Sequence, residues 1–80
     1  MIKSIDIGQQ VAVGLNVGTI IAVEYVQAHP SGVVPLHEIL FTHKIIRNAN
    51  KSKLVTIKNY TRKVNYAFIR VISGVENGFK

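Results

Sequence analysis

With 80 residues, the chain has room for one domain, and a domain this short buries only about 60–65% of what its unfolded chain exposes. It contains no cysteine, which excludes disulfides and thiolate zinc sites; a hydrophobic fraction of 48% argues against disorder. The net charge of +6 is unevenly spread: residues 44–63 carry Lys44, Arg47, Lys51, Lys53, Lys58, Arg62 and Lys63 with no acid between them.

The apolar content is mostly Ile and Val, and branched side chains lose less freedom on a pleated surface than in a helix. Residues 2–7 alternate, with Ile5 and Ile7 on one face, and Gly8 closes that run, which predicts a first strand. Val11-Ala12-Val13 predicts a short second one, followed by a turn in which Gly14, Asn16 and Gly18 tolerate positive φ. Residues 19–27 form the clearest strand pattern, with Ile21, Val23 and Tyr25 on one face and Ile20, Ala22, Glu24 and Val26 on the other. Pro30, Gly32 and Pro35 then punctuate the chain.

Residues 36–46 fit two periods. A strand aligns Ile39, Phe41 and His43; a short helix places Leu36, Ile39, Leu40, His43 and Ile46 in one stripe. Residues 47–52 predict a polar turn, 53–58 a strand, 59–63 a hairpin connection and 64–72 a last long strand. The tail, 73–80, is expected to fray. Five or six short strands predict a mainly β domain spanning 1–80, curled into a small barrel that protects its edges. The alternative is a sheet packed on one helix at 36–46.

Gly8-Gln-Gln-Val11-Ala-Val13, a Gly-containing loop and Gly18-Thr-Ile20-Ile-Ala-Val23 resemble the opening of SH3-like small barrels. These include KOW-type nucleic-acid modules and very short barrel proteins common in bacteriophage genomes. The resemblance extends loosely to 53–72 through Leu54-Val-Thr-Ile-Lys58 and Arg62-Lys-Val-Asn-Tyr66. The stretch 27–50 departs from it, being longer and more apolar than such modules carry there, with room for an inserted helix or a dimerisation element. The resemblance implies binding to nucleic acid or to ribosomal and polymerase partners.

The acid-free stretch is the main functional signal. A cluster of like charges repels itself, and a polyanion relieves that repulsion while releasing counterions. Lys44, Arg47, Lys51, Lys53, Lys58, Arg62 and Lys63 are therefore candidates to grip phosphates, with Tyr60 or Tyr66 as a stacking platform. The bland alternatives are a solvated basic face and tyrosines that pack at the core edge. DNA or RNA is the expected partner; the runner-up is an acidic protein surface docked by a small adaptor or inhibitor. A third reading is a homo-oligomeric structural protein.

Other chemistries find little footing. His29, His37 and His43 are spaced by eight and six, which matches no compact metal-ligand pattern. The acids Asp6, Glu24, Glu38 and Glu76 are scattered, with no Ser-His-acid arrangement visible in sequence, so a non-catalytic binding module without cofactor is expected. No apolar run approaches the roughly 18–20 residues of a membrane span, and Lys3 and Asp6 do not suit a secretory leader. A soluble, cytoplasmic protein is the expectation.

Overall fold

Alternation of branched apolar residues commits this chain to extended backbone. In the computed structural model, which describes residues 4–28, 30 and 32–72, it forms one five-stranded sheet. The strands are β1 (Gln10–Val13), β2 (Asn16–Ala28), β3 (Gly32–Asn48), β4 (Lys51–Asn65) and β5 (Arg70–Val71), in the order β4-β3-β2-β1-β5. Every neighbouring pair is antiparallel. Residues 36–46 are strand throughout, inside β3.

The sheet is neither closed into a barrel nor strongly curled. β4 and β5 are its two edges and share no ladder. The physical reason lies in the lengths: β5 has two residues and offers too short an edge to receive the 15 of β4. The expected barrel or curled sheet is thus overturned, and so is the resemblance to SH3-like, KOW-type and phage barrel proteins that rested on it.

Several boundaries differ as well. Residues 4–9 form no strand; they cross over the sheet as an irregular segment with a turn at Ile7 and Gly8. The expected connection at 59–63 lies inside β4. The expected strand 64–72 is broken by a 3₁₀ turn, Tyr66–Phe68, whose first amides need a cap; Asn65 Oδ1 accepts from the Ala67 N–H at 2.9 Å. Residues 73–80 and His29 lie outside the described residues.

Two tight turns set the register. Val13 pairs with Asn16 around Gly14, whose φ of 61° suits glycine. Asn48 pairs with Lys51 around Ala49 and Asn50, and Ala49 takes a φ of 54°, a conformation that costs a non-glycine residue roughly 1–2 kcal/mol.

Register irregularities decide which side chains meet. In the β2–β3 ladder, Ile20 pairs with Ile39 but Ala22 with Glu38, so Ile21 is an extra residue on β2. Gly18 pairs with Phe41 but Val17 with His43, so Thr42 is an extra residue on β3. The β3–β4 ladder breaks at the same place: Phe41 pairs with Tyr60 and His43 with Thr56. Such bulges flip the alternation that follows. Phe41 and Ile45, which a regular strand would put on one face, therefore enter different clusters. One face, here face 1, buries Ile5, Val11, Ile20, Ile39, Phe41 and Val64. The opposite one, face 2, buries Ala12, Val17 and Ile45 with Leu54 and Ile72 against them.

Gly18 sits in β2 against the β3 backbone, with no room for a side chain. A Cβ there would collide with the Leu40 carbonyl oxygen and lie 2.8 Å from Ile39 Cγ2. The first obstacle is backbone, which cannot rotate away. Gly18→Ala is expected to destabilise the fold by about 1–3 kcal/mol, read as a lower urea midpoint.

His37 ties the N-terminal segment to face 1. It is 0% exposed, and its Nε2 accepts a hydrogen bond from the Ile5 N–H at 2.8 Å. That bond requires a neutral imidazole with its proton on Nδ1, which finds no hydrogen-bond partner of good geometry. Burial lowers the His37 pKa below its ordinary 6.5, partly offset by the nearby Val64 backbone. The unfolded chain therefore takes up a proton before the folded one does, and stability falls as pH drops below 6.5. It levels off once the folded imidazole also charges. Urea unfolding between about pH 7 and pH 5 should show this loss, and His37→Gln should flatten it.

Candidate nucleic-acid interface

Residues paired across an antiparallel ladder project from the same face, so the register places each predicted cation. On the outer part of the β3–β4 ribbon, Lys44 pairs with Val55, Ile46 with Lys53 and Asn48 with Lys51. These positions continue face 1, because Asn16, the partner of Lys44, also pairs with Val13, which packs on the face 1 core. Lys44, Lys51 and Lys53 thus share one face. Arg62, paired with Ile39, joins them there on the far side of the β4 irregularity. From Lys53 to Arg62 the strand runs roughly 30 Å.

The remaining predicted cations are elsewhere. Arg47 pairs with Ser52 and projects from face 2 at the ribbon tip. Lys58 is exposed within the irregular stretch opposite Thr42, and no ladder partner assigns it a face. Lys63 pairs with Glu38 on face 2, and its Nζ lies 3.3 Å from Glu24 Oε1. Glu24 and Glu38 both project from face 2, so among the described strands face 1 carries cations and no carboxylate. At physiological salt, charges closer than a Debye length of about 8 Å still interact. Lys51 and Lys53, about 7 Å apart along one strand, fall within it.

The aromatic candidates fare differently. Tyr60 pairs with Phe41 on face 1 and stacks on its ring, with centroids 5.1 Å apart and planes inclined by 27°. One face of Tyr60 is thereby covered. Tyr66 leans over the buried His37, their ring centroids 6.4 Å apart. Phe68, which falls within the expected strand 64–72, instead ends the 3₁₀ turn and is 71% exposed. The available signal was Asn65, a residue type whose side chain competes with strand pairing by capping the amides that follow.

Beside Phe68 lies an open concavity of about 350 Å³, lined by Val13, Arg62, Lys63, Val64, Asn65 and Phe68. A smaller one, about 180 Å³, lies where Thr42 and His43 meet Gln10 and Leu54. His37 and His43 are not gathered: His37 belongs to face 1, while His43 pairs with Val17 and Thr56 on face 2, its Nδ1 2.7 Å from Thr42 Oγ1. Among the described residues no group of three His, Cys, Asp or Glu side chains is placed to hold a metal ion, and no helix is long and apolar enough to cross a membrane.

Both members of the Lys63–Glu24 pair are half exposed, at 50% and 52%, so solvent screens most of their attraction. Lys63→Met is expected to change the unfolding free energy by less than about 1 kcal/mol, measured by urea denaturation. No family model matches this chain, and neither a curated protein nor a solved structure is significantly similar to it.

Proposed function

We propose that this protein is a non-catalytic module that binds nucleic acid along face 1 of its β3–β4 ribbon. The observation that carries the reading is the sorting of charge: Lys44, Lys51, Lys53 and Arg62 project from one face, and the strand carboxylates Glu24 and Glu38 from the other. Holding cations together without counter-charges costs free energy in the free protein. A row of phosphates removes that cost and releases its own condensed counterions. A two-stranded ribbon also has a suitable shape, since a groove or an extended strand can lie along it. The contacts are to phosphates, so the binding has little sequence preference.

The rival occupant, an acidic protein surface, is favoured by one feature: Ile46, 40% exposed, sits among Lys44 and Lys53. Pairing of β4 with a second copy is disfavoured by the lysines along that edge, a common protection against edge-to-edge association.

Fluorescence anisotropy with labelled DNA and RNA, across a salt series, tests the proposal. Log K should fall linearly with log salt, and Lys51→Gln with Lys53→Gln should flatten the slope by about 1.4–1.8, the share of two phosphate contacts. Arg70→Gln, which removes a charge on face 2 opposite Ala12, should leave the slope as it was. Absence of binding at about 50 mM salt, where phosphate contacts are strong, or a slope indifferent to the lysines, would overturn it.

A further inference from the structure

The concavity beside Phe68 differs from the lysine row in kind. Its walls combine an exposed aromatic residue, two apolar side chains and two cations: Phe68, Val13, Val64, Arg62 and Lys63, the last paired with Glu24. Phe68 is 71% exposed, and no aromatic neighbour stacks on it among the described residues. Asn65, which also lines the concavity, accepts the Ala67 N–H at its Oδ1, and its amide NH₂ keeps its donor capacity. Arg62 lies on the same face as the lysines and forms no salt bridge among the described residues. The volume of about 350 Å³ stands at the small end of ligand sites and suits one planar group and its anionic attachment, not a longer ligand.

Resting on the nucleic-acid reading above, we infer that this concavity receives one unpaired nucleobase, stacked on Phe68, with the adjoining phosphate at Arg62. Stacking requires only a π face, so any base serves, and the Asn65 amide can donate to a base carbonyl or ring nitrogen. A base inside a duplex is already stacked and paired, and entering the site would demand its extrusion. The consequence is selectivity for single strands: the lysine row grips any phosphate backbone, and the Phe68 site rewards only a strand with a free base. A strand laid along β4 passes from the ribbon lysines to Arg62 within the length that one small domain covers, about 4–16 nucleotides.

The test uses the whole chain and two probes: oligothymidylate of about 12 nucleotides, and a duplex of the same length. Phe68→Ala should weaken single-strand binding by roughly 5- to 150-fold, with duplex affinity and the salt slope unchanged. Phe68→Leu should lose nearly as much, because it keeps apolar bulk without a ring, and Phe68→Tyr should restore binding. A 2-aminopurine base in the single strand should be quenched on binding to wild type and not to Phe68→Ala. An unchanged urea midpoint in these variants shows that the fold persists. Wild-type single-strand affinity in Phe68→Leu, or equal losses for single strand and duplex, would overturn the base site while leaving the ribbon reading intact. Capture of an aromatic-containing acidic peptide in preference to the oligonucleotide would also overturn it. Failure of both probes to bind wild type removes the ribbon reading itself.

Discussion

β3 is paired along its length with β2 on one side and β4 on the other, and the extra residue Thr42 interrupts both ladders at one level. Everything toward the ribbon tip takes its facing from that interruption. Without it, Lys44 would project with Leu40, Thr61 and Lys63, and the cations would lie among Glu38 and Glu24. With it, Lys44, Lys51 and Lys53 continue the face that holds Ile39 and Phe41, while Ile45 turns over to close the second small core with Val17 and Ala12. One residue of register thus decides both how two cores form in a thin sheet and where the positive charge gathers.

That arrangement explains how an open sheet is stable at all. A single layer leaves two faces to cover, and here each is covered differently. Face 1 is covered by Ile5, held by the His37 bond, and by Ile69 after the 3₁₀ turn. Face 2 is served by Ile72, whose amide donates to the Gln10 carbonyl at 3.1 Å. The ribbon beyond Ile45 receives little of this cover, and two strands alone are marginal in water. Its lysines protect an edge that no other described strand protects, and Lys44, Lys51 and Lys53 are all exposed.

Much of this was legible from residue order. The strand content followed from Ile and Val alternation, the β1–β2 turn from Gly14, and the basic stretch from a plain count. The facing of side chains was not legible, because period-two patterns assume regular ladders. Ile20 and Val23 share face 1 only because Ile21 is an extra residue, and nothing about Ile21 as a residue announces that. The same blindness merged Lys63 with the ribbon lysines, although it projects from the opposite face and meets Glu24 across it. The expected barrel failed for a reason of length: β4 runs through the predicted connection at 59–63, and β5 shrinks because Asn65 caps a turn in mid-pattern.

The proposed polyanion meets the face that carries Lys44, Lys51, Lys53 and Arg62. Chemical-shift mapping of isotope-labelled protein during titration with a short oligonucleotide tests it most directly. The side-chain signals of those four residues should move together, while those of Arg70 and Arg47 on the other face stay in place. Movement centred on Arg70 and Arg47 with the four unchanged would contradict it.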